Sequence, residues 1–378
     1  MSTTLDRHPA PTHVPARRVD FVLGLSTILV AVVGVVMVYS ATRAKLVAAG
    51  INPHYYLERQ AAFVLLGIIV MVAIAFSDYR WLEHASWALY GGLVLALLAM
   101  FTPLGSRALG ATRWFQLGPI QIQPSAFGGI VIVVFVAAIC SRYPEGLGPA
   151  QVVKVLAIAS VPILLVIKQP DLGSGIVMGV VLFVTLVVAG IPNRYLLLLV
   201  LLGVLSVFAI IHLGLLKPYQ LQRLTGFLNQ NDSIQKGSYN LYQSKAAIGS
   251  GGVWGTGLFK GAQTNLAYVP SEQTDFIFSA VGEQLGFVGA ATILFLLGLV
   301  VWRVLRAAQV ARDPFGRLLA TGVFALLAFS VFENVGMTMG IMPIAGIPLP
   351  FMSYGGSATL AFFSSVGIAM SVYMRHQR

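Results

Sequence analysis

Long uninterrupted apolar stretches alternate with short polar joints along nearly the whole chain. Runs long enough to cross a bilayer as helices, roughly 20 residues each, fall at 20–40, 57–77, 82–102, 122–140, 152–168, 171–190, 194–215, 276–302, 315–342 and 352–374. The pattern predicts an all-α integral membrane protein of about ten transmembrane helices. One polar interval, 216–275, is far longer than the others and lies between spans seven and eight. Residues 1–19, with their Pro, His and Arg, are expected to form a disordered tail, which leaves 20–378 as a single polytopic domain. The first run begins too late and lacks a small-residue cleavage site, so it is expected to be an anchor and not a removable signal.

Composition agrees with this pattern and excludes a soluble domain: 57% of the 378 residues are hydrophobic and only 10% are charged. An even number of spans puts both termini on one side, and the basic residues choose which. Thirteen of them, including Arg303, Arg306, Arg312 and Arg317, flank the spans on the N-terminal side; six, including Arg59, Arg107, Arg113 and Lys168, lie in short loops opposite. Both termini are therefore expected in the cytoplasm of a multi-pass cell-membrane protein, with 216–275 outside. The net charge of +11 follows from this bias and from basic residues beside lipid headgroups, with no nucleic acid required. Cys140 is the only cysteine, so an internal disulfide and a multi-cysteine metal site are excluded. The six histidines show no metal-ligand spacing.

Four polar clusters interrupt the apolar pattern. In Ser271-Glu272-Gln273-Thr274-Asp275-Phe276-Ile277-Phe278, Asp275 sits where the chain leaves the long loop and returns to lipid. A carboxylate there is costly and points to function; the plainer alternative is an N-cap for the next helix. The same loop carries Lys217, Arg223, Lys236, Lys245 and Lys260 beside a glycine-rich stretch, Tyr242-Gln243-Ser244-Lys245-Ala246-Ala247-Ile248-Gly249-Ser250-Gly251-Gly252. A cationic, glycine-lined surface at headgroup level suits a phosphate or diphosphate, although glycine-rich turns also arise for backbone reasons alone.

The second cluster joins Thr112-Arg113-Trp114 to Gln121-Ile122-Gln123-Pro124-Ser125, with Trp114 readable as an interfacial anchor. The third, Lys168-Gln169-Pro170-Asp171-Leu172-Gly173, is a tight turn in which Lys168 and Asp171 could pair locally. The fourth, Met342 to Ser357, holds three prolines and predicts a broken or re-entrant backbone that must pack on protein or water.

Together the segments QPS, QPDLG, AIGSGG, TDFIF and LPF-x-SYGGS resemble the SEDS (shape, elongation, division and sporulation) family of bacterial membrane proteins. Gly340-Ile341-Met342-Pro343 and Ile347-Pro348-Leu349-Pro350 are more similar to the RodA elongation branch than to the FtsW division branch. The resemblance implies a peptidoglycan glycosyltransferase that polymerises lipid II into a nascent glycan strand outside the cytoplasmic membrane, with membrane lipids around it and a class B penicillin-binding protein as partner. It also implies that Asp275 is the essential acidic residue.

Inverting transfer of a sugar from a diphosphate needs a base on the incoming hydroxyl and stabilisation of the departing charge. Asp275 is the candidate base for the acceptor 4-hydroxyl, and Arg113, Arg223 and Lys245 are candidate diphosphate contacts. Gln243, Ser244, Lys168, Asp171, Glu283, Glu333 and Ser353 complete the candidate substrate-binding set. No cofactor is certain; a magnesium or manganese ion bridging Asp275 and the diphosphate is compatible with the chemistry, though no ligand cluster announces one.

The resemblance fails at two positions. The family continues QPS with Glu and, three residues later, Lys, which would share a helix face; here Ala126 and Gly129 stand in their place. Loss of both is easier than loss of one, because a lone buried charge is costlier than no pair. Glu283 and Glu333, both inside spans, are candidates to carry the missing charge, or else are structural carboxyls. A lipid-precursor flippase or transporter, and a non-catalytic scaffold of a cell-wall complex, are the competing functions.

Overall fold

A computed structural model describes residues 19–103, 105–108, 111–118, 120–143, 145–212, 218–228 and 239–376. The chain runs α1 (Phe21–Ala48), α2 (Tyr55–Phe76), α3 (Arg80–Ala99), β1 (Gly105–Ala108), β2 (Ala111–Leu117), β3 (Ile120–Ile122), α4 (Pro124–Cys140), α5 (Pro149–Lys168), α6 (Leu172–Val188) and α7 (Asn193–His212). It continues through α8 (Pro218–Leu228), α9 (Tyr239–Ser250) and α10 (Ala262–Asn265) to α11 (Ile277–Val310), α12 (Pro314–Met339) and α13 (Gly356–Met374). The residue 1–18 tail, Lys217 and Lys236 lie outside the described residues.

Each of the ten apolar runs coincides with a helix. Seven of these helices, α1, α2, α3, α5, α11, α12 and α13, are long and apolar enough to cross a membrane. At 17 residues each, α4 and α6 reach about 26 Å, less than the roughly 30 Å of a hydrocarbon core. Seven crossings, against the ten expected, thus meet the length criterion among the described residues.

The centre is built from α4, α12 and α13. From Ile132 to Ala138, every residue of α4 is buried, and α12 and α13 bury most of their length. A helix apolar on all sides belongs inside a membrane bundle. By contrast, α7 exposes Leu197, Leu198, Leu201 and Leu205, the surface expected of a helix facing lipid. At the start of α1, Arg303 on α11 pairs with Asp20 at 2.8 Å, and the same aspartate caps α1 by accepting from the Leu23 N–H at 3.0 Å.

Two features depart from unbroken helices. The first is a small antiparallel sheet, β1-β2-β3, in the joint between α3 and α4. The apolar-run pattern did not foresee it, although Gly118 at φ +60° turns β2 towards β3 as a short hairpin requires. The second is a break within α11 at Gly286, where φ is 65° and ψ −165°. The loop after α9 fits into this break. Thr256 and Gly257 donate their N–H groups to the Glu283 and Gln284 carbonyls at 2.9 and 3.1 Å, while Phe287 and Val288 donate to Gly252 and Val253 at 2.9 and 3.1 Å. Groups freed by the break thereby find partners in the loop, as a low-dielectric setting demands.

The break also explains Gly251. A Cβ on Gly251 would lie 1.9 Å from the Gly282 carbonyl oxygen, so the glycine answers a backbone crossing and not a phosphate. The broken backbone expected at Met342–Ser357 is present: α12 ends on left-handed Gly340 and residues 341–355 run without helix, burying Leu349, Phe351 and Met352.

Gly251→Ala is expected to force the crossing chains apart and lower stability by about 1–3 kcal/mol, the usual cost of overpacking. The check is a thermal unfolding midpoint in detergent, with Gly249→Ala, which meets open space, as the control that stays near wild type.

Candidate active site

A cavity of about 750 Å³ opens where several helices begin. Its wall includes Tyr55 and Tyr56 from the first turn of α2, Gln123 and Ser125 from the start of α4, Asp171 capping α6, Asp275 just ahead of α11, and Gly355 capping α13. Helix N-termini carry unsatisfied N–H groups and partial positive charge, each worth about 0.3–1 kcal/mol to a nearby anion.

Asp171 is the most heavily bonded group in the wall. Its Oδ2 accepts from the Ser125 hydroxyl at 2.8 Å and from the Gln123 amide at 3.2 Å. Its Oδ1 lies 3.7 Å from Arg113 Nη1 and accepts from the Ser174 N–H at 3.4 Å. Arg113 reaches it from β2, and its guanidinium also donates to the Pro170 and Gln169 carbonyls. The sheet therefore sets the position of Arg113. A local Lys168–Asp171 pair does not form; Lys168 is exposed, with its ammonium 5.5 Å from the centroid of the Phe101 ring.

Asp275 belongs to a turn at 271–276 in which its N–H donates to the Ser271 carbonyl at 3.1 Å. The helix after it is capped at Phe276, so Asp275 is not its N-cap. Two bonds from one side chain fix the turn: the Asn334 amide on α12 donates to the Asp275 carbonyl at 2.8 Å and to the Ile347 carbonyl at 2.7 Å. Tyr354 adds a third tie, its N–H meeting the Gln273 carbonyl at 2.8 Å.

Gly346, at φ +73°, brings bare backbone up to the Asp275 and Arg223 side chains. A Cβ there would lie 3.3 Å from both Asp275 Oδ2 and Arg223 Nη1. The structure thus brings Arg223 of α8 to Asp275 across the long loop. Burial pushes the Asp275 carboxyl above the usual carboxylate range, while Arg223, Thr274 and Arg113 draw it back. A carboxylate made more basic by burial and faced by two guanidiniums can take a proton from an alcohol and hold an anionic leaving group beside it.

Of the expected site residues, Asp275, Arg113, Arg223 and Asp171 meet in this cavity. The others lie elsewhere. Ser244 is buried on α9, its hydroxyl bonded to the Thr338 carbonyl at 2.9 Å, with Gln243 and exposed Lys245 beside it. Ser353 accepts from the Leu349 N–H at 2.8 Å and closes a turn. Glu283 holds the start of α10, accepting from the Gln263 and Thr264 N–H groups at 2.7 and 3.0 Å. That employment, outside the cavity wall, removes it as a substitute for the missing charge at 126. Glu333 is buried on α12, where Asp275 and Arg223 act on it electrostatically.

Ala126 and Gly129 do line the cavity, with Leu326 facing Gly129. Tyr55, Tyr56, Arg59 and Asn334 carry no motif that sequence reasoning could have singled out; they reach the site only through helix packing. Among the described residues, no three His, Cys, Asp or Glu side chains gather as a metal cluster.

Residues 21–378 match the family model described as a cell cycle protein, FTSW_RODA_SPOVE. The chain is 35% identical over 366 residues to a Geobacter metallireducens protein named "Probable peptidoglycan glycosyltransferase FtsW", covering 95% of each. It superposes on a chain from a peptidoglycan synthase complex that coordinates polymerization and crosslinking with a TM-score of 0.76 at 28% identity, covering 95% of this chain and 99% of the other. The Thermus thermophilus rod shape determining protein RodA superposes with a TM-score of 0.70 at 26% identity, covering 95% and 98%.

Replacing Asn334 by Ala should leave the Asp275 and Ile347 carbonyls without their donor and destabilise the protein by about 1–3 kcal/mol. Hydrogen exchange should localise the loosening to 271–276 and 345–348, and uniform loosening would assign Asn334 to general packing.

Proposed function

The chain belongs to the FtsW, RodA and SpoVE family of cell cycle proteins, and from that premise we propose that it is a peptidoglycan glycosyltransferase polymerising lipid II into glycan strands at the outer face of the cell membrane. The observation that carries this reading is the meeting of Asp275 with Arg223 and Arg113 in one cavity. Asp275 takes the proton from the acceptor 4-hydroxyl as its oxygen attacks the anomeric carbon of the donor sugar. The bond to the diphosphate breaks, and the lipid diphosphate leaves with the electron pair. Arg223, Arg113 and the N-terminal ends of the surrounding helices offset its charge. The diphosphate leaves without needing a proton, so one carboxylate suffices for inversion. Lys245 lies outside the cavity wall and has no place in this step.

Orientation is consistent with this chemistry. With the N-terminal side inside, as the thirteen-to-six distribution of basic residues favours, the N-terminal ends of α2, α4, α6, α11 and α13 face outward. That is where a lipid-linked sugar is presented. The resemblance of Gly340–Pro350 to the RodA branch favours cell elongation, with a class B penicillin-binding protein crosslinking the product strand.

Purified protein in liposomes with labelled lipid II is expected to produce glycan strands. Lipid translocation without strands would identify a precursor transporter, and neither outcome a non-catalytic scaffold.

Asp275→Asn should reduce polymerisation by about 10²–10⁴-fold, because the amide keeps the size but cannot accept the proton. Well-folded Asp275→Asn protein that keeps most of its activity would remove the base assignment.

The neutral face of α4 generates another prediction. A Cβ on Gly129 meets only Leu326 Cδ1, at 2.8 Å, the movable end of a side chain. Ala126→Glu with Gly129→Lys should therefore be accommodated and raise polymerisation above that of the unaltered chain. Each single substitution should lower it, because it places an unmatched charge in the cavity wall. A double variant no faster than the unaltered chain would show that this pair is not what the site lacks.

A further inference from the structure

The turn that carries Asp275 has a second buried carboxyl on its other side. Glu272 is 2% exposed and faces α10 and α11, away from the cavity wall. Between it and Glu283 stands one hydroxyl. Thr264 Oγ1 lies 2.6 Å from Glu283 Oε2 and 3.1 Å from Glu272 Oε1. A threonine hydroxyl has a single hydrogen to give. The shorter contact assigns it to Glu283, which already accepts two backbone N–H bonds from the start of α10. The contact to Glu272 can then be a hydrogen bond only if Glu272 is the donor, a role open to a carboxylic acid and closed to a carboxylate.

The remaining oxygen agrees. Among the described residues, Glu272 Oε2 has no hydrogen-bond partner, a situation far costlier for a charged oxygen than for the carbonyl of a neutral acid. Charged groups on the neighbouring elements are Glu283 on α11, Lys260 ahead of α10, Lys245 on α9 and Arg43 on α1, whose guanidinium sits 5.8 Å from the centroid of the Phe259 ring. Glu283 is the one that acts on Glu272, and its negative charge opposes a second one.

We propose that Glu272 is a positioning residue that works as a neutral carboxylic acid, donating through Thr264 to Glu283 and so holding the turn that presents Asp275. The link is short. Asp275 and Thr274 both donate their N–H groups to the Ser271 carbonyl at 3.1 Å, so residues 271–275 move as one turn. One side of this turn is tied by Asn334 and Tyr354, the other by Glu272. Ionisation of Glu272 removes its donor and sets two negative charges about Thr264, loosening one tie. Burial lifts its pKa to about 8, and the negative charge of Glu283 reinforces the rise. The folded chain thus keeps a proton that an ordinary glutamate releases near 4.5, so stability falls as pH rises from about 4.5 to 8 and changes little beyond.

The inference concerns regulation of the site assigned above and rests on that assignment for its activity arm alone. Glu272→Gln keeps a donor, through its amide, and cannot ionise. In wild-type protein, hydrogen exchange of the 271–276 segment should accelerate relative to Glu272→Gln as pH rises from about 4.5 to 8, with the difference levelling off above 8. Unfolding midpoints should separate in the same comparison, Glu272→Gln gaining on wild type between pH 5 and 8. Polymerisation by wild type should decline through pH 8 while Glu272→Gln holds its rate. Glu272→Ala, without a donor, should lose about tenfold or more at every pH, as misplaced reacting groups do.

Identical pH courses of segment exchange in wild type and Glu272→Gln overturn the proposal whatever the activity. Wild-type protein that forms no strands at any pH refutes the glycosyltransferase reading, and the exchange comparison still decides for or against the neutral acid.

Discussion

Lipid offers no hydrogen bonds, and that constraint governs where this chain can leave the helical path. Every N–H and C=O released by a broken helix at membrane depth must be met by protein or trapped water. The chain leaves the helical path twice beside the cavity and the loop after α9. At Gly286 the released groups are met by the glycine-rich loop after α9 through four main-chain bonds. Between Gly340 and Gly356, Asn334 meets the Ile347 carbonyl, Gln60 donates to the Ser353 carbonyl at 3.2 Å, and Ser353 answers the Leu349 N–H. The groups that close the second break also hold the turn that carries Asp275, since the other hydrogen of the Asn334 amide serves the Asp275 carbonyl. Fold and site thus share the same few bonds.

Charge in the cavity is handled by pairing and not by exposure. Asp171 is nearly inaccessible yet has Arg113, Ser125, Gln123 and the Ser174 N–H around it, enough to hold a buried carboxylate. Asp275 is left less satisfied. It faces Arg223 across bare backbone and remains more basic than an ordinary aspartate, the state a proton acceptor needs. Next to these paired charges, Ala126, Gly129, Val177 and Leu326 make a small-residue, uncharged floor. These uncharged positions on α4 distinguish the cavity from one with a Glu–Lys pair there.

Much of this was legible in the sequence because hydrophobic runs report spans directly. All ten runs became helices, and the rare polar residues inside the pattern marked Asp275, Arg113, Arg223 and Asp171. What the pattern could not supply was long-range placement. Arg113 is positioned by a sheet whose short strands hide in a joint between spans. The glycine at 251 looked suited to a ligand, but a Cβ on it would strike the main chain of 282–283. Glu283 looked like a spare charge because its two backbone donors come from a four-residue helix that no period reveals. Lys245 stood beside a motif but is exposed on α9 and does not line the cavity. In each case proximity in sequence was a poor guide, because placement depends on contacts between segments far apart in the chain.

Gly346 has a consequence for how the site can change. The floor between the Asp275 carboxyl and the Arg223 guanidinium is main chain at φ +73°, a conformation that disfavours every side chain, and a side chain there would press on both groups. A compound seated on that spot would therefore touch peptide backbone and the two charged side chains that meet there. Escape from such an inhibitor by a single substitution at the contact surface is closed, and resistance would have to arise from the rim, at Tyr55, Tyr56 or Gln121, where side chains can vary without touching the chemistry.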